Sequence, residues 1–139
     1  MLFRSEPLGV KLGPDRVSAA RALSKRLNSV VLLKGNATVV AAPDGRTLVN
    51  PATSSWLATA GSGDVLTGLV GALLATGLDP WLAAGCAAWA HVRAGELAAT
   101  AGHEVGVPVP ASRILEAIPA AIRSASPAFK HRESRVRTL

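Results

Sequence analysis

The sequence predicts an α/β layered domain of which this chain supplies only part. Three features carry that prediction: a helical repeat ending at residue 27, a short apolar run at residues 30–33, and two strand-like segments around Pro-Asp-Gly at residues 43–45. Helix and strand patterns alternate along the chain, as they do in domains whose helices pack on a sheet. Because one strand and a hairpin are too few to complete such a sheet, we expect an incomplete domain.

The first helix is predicted from residue 14 or 15 to residue 27. A proline near the first turn suits a helix start, and apolar side chains recur at helical spacing at Val17, Ala20, Leu23 and Leu27. Asn28 and Ser29 end the pattern. The run Val-Val-Leu-Leu at residues 30–33 then predicts a strand buried on both faces of a parallel sheet.

A β-hairpin is predicted over residues 38–42 and 46–50. The intervening Pro-Asp-Gly supplies a proline that favours a turn and a glycine that tolerates positive φ. Residues 51–63 have no regular periodicity and are interpreted as a loop ending in a glycine turn. A helix over residues 64–76 follows, apolar on nearly every side and therefore expected to be buried. Two further helices are predicted over residues 80–100 and 114–122.

Composition and charge exclude several classes of protein. The chain has 139 residues, is 49% hydrophobic and carries a net charge of +6. The charge is unevenly placed: residues 123–139 hold five basic residues and one acidic residue, whereas residues 35–122 hold three basic and six acidic residues. No aromatic residues alternate with the basic residues of the tail, so we expect a solvated, disordered tail and no nucleic-acid partner.

Membrane and secretory signals are not found in the sequence. No uncharged apolar run reaches the roughly 18 residues that a membrane span needs, and no basic segment followed by an apolar one opens the chain. A single cysteine, Cys86, excludes an internal disulfide framework and a zinc site built from several cysteines. We therefore expect a cytoplasmic protein with no membrane partner.

The most informative motif is Gly61-Ser62-Gly63-Asp64 at the start of an apolar helix. Two glycines let consecutive backbone amides turn inward, and a helix start adds partial positive charge. Such a group binds an anion like phosphate without a lysine. Asp64 would then stand beside a bound phosphoryl group, where a carboxylate can accept the proton of an attacking hydroxyl. The alternative is that Ser62 or Asp64 only caps the helix.

A second motif, Lys34-Gly35-Asn36-Ala37-Thr38, joins the buried strand to the hairpin. Ligands bind at the carboxyl ends of strands in open α/β sheets, which makes this segment a candidate binding loop. The alternative for Lys34 is an ordinary surface lysine.

Three other residues are interpreted as structural or left open. His91 lies on an alanine-rich helix with no second ligand four residues away, so we expect a packed or hydrogen-bonded histidine, not a metal ligand. Cys86 is expected to be a small buried hydrophobic residue. Trp56 either stacks on an adenine ring or packs over the start of the following helix.

Taken together, four segments resemble the ADP-dependent NAD(P)H-hydrate dehydratases, which have a ribokinase-like fold. They are LKGNATVV at residues 33–40, PDG at 43–45, NP at 50–51, and LATAGSGDVLTG at 57–68. The Gly-Ser-Gly-Asp piece is shared across the ribokinase superfamily, whereas the longer string around it is much more specific. The resemblance implies an α/β three-layer domain, here incomplete.

The family resemblance also implies a reaction. A nucleotide, ADP or ATP, phosphorylates the hydroxyl on the ring of hydrated NADH or NADPH, and loss of phosphate restores the ring double bond. Asp64 would contact the substrate and act as base, and Gly61, Ser62 and Gly63 would form the anion hole. The nucleotide would lie on Lys34, Gly35, Asn36, Ala37 and Thr38, with Gly63 also in contact. Mg²⁺ would be held by phosphate oxygens and water, with no metal ligands from the protein.

The resemblance also sets the expected domain boundaries. Residues 6–122 resemble the carboxy-terminal half of the family's domain, so most of the dinucleotide half of the site is expected upstream of this chain. Residues 1–5 are interpreted as a non-native start and residues 123–139 as the basic tail. The full-length parent is expected to be a homo-oligomer. Two alternatives stay open: another ribokinase-like kinase acting on a thiazole or pyrimidine alcohol, and an inactive nucleotide-binding fragment.

Overall fold

A computed structural model describes residues 13–52, 54–101 and 105–125 of the chain. Residues 1–5 and nearly all of the basic tail, whose character was predicted above, lie outside the described residues. The described part holds helices and strands in the order α1 (Arg16–Leu27), β1 (Val31–Leu33), β2 (Ala37–Ala41), β3 (Thr47–Pro51), α2 (Ser62–Ala75), α3 (Pro80–Thr100) and α4 (Ala111–Ala125).

The three strands form one antiparallel sheet in the order β1-β2-β3. The predicted hairpin is confirmed: Val39 pairs with Val49, and Gly45 in the turn has φ of 95°, a left-handed conformation that favours glycine. The prediction for β1 is wrong in two respects. Within the described chain it pairs antiparallel with β2, and its three residues are only half-buried. A short apolar run carries no information about the direction of its partner, which is why the sequence misled here.

Helices cover both faces of the sheet, as predicted for a three-layer domain. Val39 and Ala41 of β2 pack against Ala20 of α1 on one face. Side chains alternate along a strand, so the neighbouring positions face the other way. On that second face Asn50 Nδ2 donates a hydrogen bond of 2.9 Å to the carbonyl of Ala88 on α3. The sheet therefore lies between α1 and α3, and the predicted α/β fold class is confirmed.

Helix α2 is much less buried than its composition predicts. Only Ser62 and Leu66 are buried, and Leu74 is 42% exposed. Close backbone packing does not account for Gly68 and Gly71, because nothing lies within 4 Å of the position that a Cβ would occupy at either glycine. The prediction of a fully buried helix is wrong for the described chain, in which α2 packs mainly against α3 and α4.

Helix α3 is the central helix of the described chain. It begins after Asp79, whose side chain accepts hydrogen bonds from the amides of Trp81 and Leu82, and it packs most extensively against α4. Helix α4 starts at Ala111, earlier than predicted. No helix in the parts of the chain that the structure describes is long and apolar enough to cross a membrane.

The prediction for Cys86 is wrong, because this cysteine is exposed on the outer face of α3. Leu82 and Trp89, one helical turn away on either side, are 44% and 41% exposed. Residues at this spacing share one face of a helix, so the stripe faces away from the core. Small or apolar residues occupy every face of α3 around Cys86, and the sequence therefore does not reveal which face is buried.

The hydrogen bond between β3 and α3 yields a stability prediction. Asn50→Ala removes a donor from a partly buried carbonyl, so it lowers the free energy of unfolding by about 1 kcal/mol. The matched control is Val49→Ala on the same strand, where the side chain is 51% exposed and the expected change is below about 0.5 kcal/mol. Urea denaturation measures both; equal losses would contradict the role given to the Asn50 amide.

Candidate active site

The turn that precedes α2 requires glycine at position 61. Gly61 adopts φ of 83°, in the left-handed region, and a Cβ there would lie 3.2 Å from the Cβ of Ala111. The carbonyl of Gly61 accepts hydrogen bonds from the amides of Asp64 and Val65, at 3.0 and 3.2 Å. The backbone therefore reverses at Gly61 and enters the helix directly.

Ser62, the first residue of α2, has every polar group engaged inside the protein. Its amide donates to the carbonyl of Thr59 at 3.2 Å, and its hydroxyl donates to the carbonyl of Leu57 at 2.7 Å. Its own carbonyl accepts a 2.8 Å hydrogen bond from Nε2 of His91. The residue is 1% exposed. Ser62 therefore fixes the turn to its surroundings, with both of its donors already in use.

The flanking glycines differ from Ser62. Across residues 13–52, 54–101 and 105–125, no group accepts a hydrogen bond from the amides of Gly61 and Gly63. These amides lie at the helix start, where the aligned peptide dipoles place partial positive charge. The predicted anion hole of Gly61, Ser62 and Gly63 therefore has two amides without an acceptor among these residues, whereas the Ser62 amide is engaged.

Asp64 lies in the first turn of α2, and it is the acidic residue of that turn. It is exposed, and no described residue forms an ion pair or a side-chain hydrogen bond with it. The carboxylate therefore stands next to the glycine amides without a structural partner among those residues.

Lys34 is the predicted binding-loop residue that the fold brings to this turn. It follows β1 directly, and its Nζ donates a 3.1 Å hydrogen bond to the carbonyl of Leu57. The same carbonyl accepts the hydroxyl of Ser62. Burial lowers the pKa of Lys34. One backbone oxygen therefore joins the end of β1 to the start of α2.

The rest of the predicted binding loop divides into two parts. Gly35 and Asn36 are exposed beside Lys34, whereas Ala37 and Thr38 belong to β2 and Thr38 is only 5% exposed. The exposed part thus shares the edge occupied by Lys34. The side chain of Thr38 lies within the sheet layers, away from that surface.

Arg16 holds this loop from the outside. Its Nη2 donates to the carbonyls of Leu33 and Lys34, at 3.3 and 3.0 Å. A Cβ on Gly35 would lie 2.8 Å from the same Nη2, so the guanidinium occupies the space that a side chain would take. Sequence reasoning missed this residue. The signal available was an arginine at the start of a helix that leads directly into the strand before the loop.

His91 is buried as well as hydrogen-bonded, which confirms the structural interpretation. It is 2% exposed. Burial lowers the pKa of His91, the hydrogen bond to Ser62 opposes that effect, and the nearby Lys34 ammonium adds to it. Because a carbonyl oxygen only accepts, the proton must lie on Nε2, and the neutral ring can supply it.

An open cleft of about 610 Å³ lies beside the turn. It is lined by Ser55, Trp56, Ala58, Thr59, Pro108, Val109 and Pro110. Trp56 packs against Gly106, where a Cβ would lie 2.7 Å from Nε1. Asp64 does not line this cleft. The indole ring of Trp56 therefore lies on a surface next to the turn.

No metal cluster is present in the described parts of the chain, which contain no group of three or more His, Cys, Asp or Glu residues able to hold a metal ion. Of the predicted site residues, Lys34 and Ser62 are joined directly through the carbonyl of Leu57, and Gly61, Gly63 and Asp64 adjoin Ser62 in the chain. An ammonium and backbone amides are donors suited to an anion, and a carboxylate can accept a proton.

The sequence of the chain is similar to that of one family of known proteins. Residues 4–120 match the NAD(P)H-hydrate dehydratase family. The bifunctional NAD(P)H-hydrate repair enzyme Nnr of Mycobacterium leprae is 50% identical over 114 residues, which is 82% of this chain and 24% of that protein. The ADP-dependent (S)-NAD(P)H-hydrate dehydratase of Neisseria meningitidis is 45% identical over 83 residues, 60% of this chain and 28% of the relative.

The fold of the chain also matches that of a solved structure. The ADP/ATP-dependent NAD(P)H-hydrate dehydratase of Bacillus subtilis, co-crystallised with ATP and Mg²⁺, superposes with a TM-score of 0.73 at 33% identity. The match covers 84% of this chain and 42% of the Bacillus chain. The match thus spans less than half the length of each of these relatives.

The hydroxyl of Ser62 provides a test of the turn's anchoring. Ser62→Ala leaves the Leu57 carbonyl without its shortest hydrogen bond, so it lowers the free energy of unfolding by about 1–2 kcal/mol. Thr67→Ala is the matched control, because that hydroxyl bonds to the Gly63 carbonyl on an exposed part of the same helix. A comparable loss in both variants, measured by urea denaturation, would argue against a special role for Ser62.

Burial of His91 predicts a pH dependence of stability. The folded-state pKa of His91 lies below the ordinary 6.5, so the unfolded chain takes up its proton first as the pH falls. The free energy of unfolding therefore decreases as the pH drops through 6.5. His91→Gln, which cannot titrate, is expected to remove this component between pH 7 and about 5.5, above the range in which ordinary carboxylates titrate. Identical pH profiles for the two proteins would contradict the prediction.

Proposed function

Because the chain belongs to the NAD(P)H-hydrate dehydratase family, we propose that it carries the phosphate-binding and proton-accepting part of a site for ADP-dependent dehydration of hydrated NADH and NADPH. One observation carries the proposal: Lys34 and Ser62 bond to the same carbonyl, that of Leu57. This shared contact supports the proposal because it joins the predicted nucleotide-binding lysine to the turn that carries Gly61, Gly63 and Asp64.

The chemistry of the reaction fits these groups. In the proposed reaction the ring hydroxyl of the hydrated dinucleotide attacks the terminal phosphorus of the nucleotide, and the bond from that phosphorus to the bridging oxygen breaks. Asp64 accepts the hydroxyl proton. The phosphate then leaves with the electron pair of the carbon–oxygen bond, a proton is lost from the adjacent ring carbon, and the ring double bond returns. Phosphoryl transfer depends largely on positioning and charge stabilisation, which amides and an ammonium supply.

The nucleotide is proposed to lie along Lys34, Gly35 and Asn36, with its terminal phosphate at the amides of Gly61 and Gly63. An ammonium and backbone amides both suit phosphate oxygens. Ala37 and Thr38 would contribute through the strand that holds this loop. Ser62 would act by holding the two glycines in place, since its own donors are engaged.

Mg²⁺ is implied by the family and fits a site of this kind. The ion prefers phosphate oxygens, water and few carboxylates, so it would enter with the nucleotide and neutralise phosphate charge. The exposed carboxylate of Asp64 would accept a hydrogen bond from a water ligand of the ion.

The parent protein is proposed to be a cytoplasmic homo-oligomer without nucleic-acid or membrane partners.

The carboxylate of Asp64 gives the central test. In the full-length parent protein, Asp64→Asn removes the proton acceptor and keeps the side-chain size, so dehydration is expected to fall by at least about 100-fold. ADP affinity should change little. Return of the near-ultraviolet absorbance of NADH reports dehydration in the presence of ADP and Mg²⁺, and calorimetry reports ADP binding.

Glu116→Gln is the control for this substitution, since that carboxylate is exposed on α4 and pairs only with Arg113 among the described residues. It should leave both measurements unchanged. Equal loss of ADP affinity in Asp64→Asn would assign Asp64 a structural role instead. Phosphoryl transfer to a small alcohol, without recovery of NADH absorbance in the wild-type protein, would favour a kinase.

A further inference from the structure

We propose that His91 is a positioning residue for the phosphate site, although it lies below the surface and touches no ligand. The inference rests on the proposed function, because it concerns the same glycine amides. Its starting point is the single hydrogen bond by which α3 reaches the first turn of α2: Nε2 of His91 donates to the carbonyl of Ser62 at 2.8 Å.

This bond completes the fixation of Ser62. The amide and hydroxyl of Ser62 bond to the loop at Thr59 and Leu57, whereas its carbonyl bonds to α3. The loop contacts alone hold the turn from one side. The contact from His91 holds it from the other side. The Ser62 carbonyl lies in the same peptide plane as the Gly63 amide, so this hydrogen bond ties the orientation of the Gly63 amide to α3.

The second line of evidence is the continuity of the contacts towards the binding loop. His91 contacts Ser62, Ser62 contacts Leu57, and Leu57 contacts Lys34, through bonds of 2.8, 2.7 and 3.1 Å. A displaced Ser62 would therefore disturb both the glycine amides and the partner of the Lys34 ammonium. Among the described residues, no other side-chain hydrogen bond joins α3 to α2.

The burial of His91 excludes direct contact between its side chain and a bound ligand. At 2% exposure it cannot touch a bound nucleotide, and no metal-binding group of three or more residues is found in the chain segments that the structure describes. It therefore acts through Ser62. An imidazole suits this role because it is rigid and its Nε2 donor projects far enough to reach a neighbouring helix.

The test compares ADP binding, in the presence of Mg²⁺, across four forms of the full chain by calorimetry. His91→Leu keeps an apolar side chain but removes the donor, and it should weaken ADP binding about tenfold. His91→Gln restores an N–H at a similar reach and should recover most of the affinity. Ala94→Gly lies one turn along α3 in the cluster with Ile114 and Ala121, and it should lower the melting temperature while leaving ADP affinity within about twofold.

A measurement on the wild-type chain covers the case in which His91→Leu fails to fold. Saturation with ADP should shift the Nε2–H resonance of His91 in nitrogen-15 NMR spectra. A phosphate bound at the glycine amides would change the environment of the Ser62 carbonyl, to which that N–H donates. A resonance that stays in place would overturn the inference. Three calorimetric results would also overturn it. The first is a folded His91→Leu that binds ADP as tightly as the wild type, and the second is a folded His91→Gln that binds ADP no better than His91→Leu. The third is a loss of ADP affinity in Ala94→Gly equal to that in His91→Leu. A wild-type chain that does not bind ADP at all would overturn the proposed function, and this inference with it.

Discussion

The candidate site depends on one backbone oxygen, the carbonyl of Leu57. It accepts the ammonium of Lys34 at 3.1 Å and the hydroxyl of Ser62 at 2.7 Å. The two donors come from separate elements, the end of β1 and the start of α2. Their common acceptor lies in the loop between the hairpin and α2. The relative position of the binding loop and the glycine turn therefore follows from hydrogen bonds to a single atom. Without these bonds, a phosphate that bridges the loop and the turn would have to fix their relative position itself, at an entropic cost.

The same arrangement separates the groups that hold the turn from those that face a ligand. Ser62 and His91 are buried and engaged with the protein, whereas Gly61 and Asp64 are exposed, and the amides of Gly61 and Gly63 have no acceptor among the described residues. Preorganised donors of this kind stabilise developing charge without reorganising during the reaction. Burial and the nearby Lys34 ammonium lower the pKa of His91, whereas its hydrogen bond to the Ser62 carbonyl acts in the opposite direction.

The extent to which the sequence predicts this structure differs among its parts. The hairpin, α1, α3 and the glycine turn follow from residue type, because Pro-Asp-Gly, helical periodicity and paired glycines restrict the backbone directly. The burial of α2 and of Cys86 does not, since both lie in segments that are apolar or alanine-rich on every face, and only the packing partners decide which face is covered. Leu57 could not be predicted at all: its side chain carries no polar signal, and its contribution is a backbone carbonyl whose direction depends on the loop.

We propose that the amides of Gly61 and Gly63 hold a phosphate while Ser62 stays engaged with the protein. Titration of the nitrogen-15-labelled chain with ADP and Mg²⁺ tests this proposal, because each backbone amide is observed separately. We expect large downfield shifts of the Gly61 and Gly63 amide protons and a much smaller shift for Ser62. Unchanged glycine resonances in a chain that binds ADP, with the shifts located elsewhere, would contradict it.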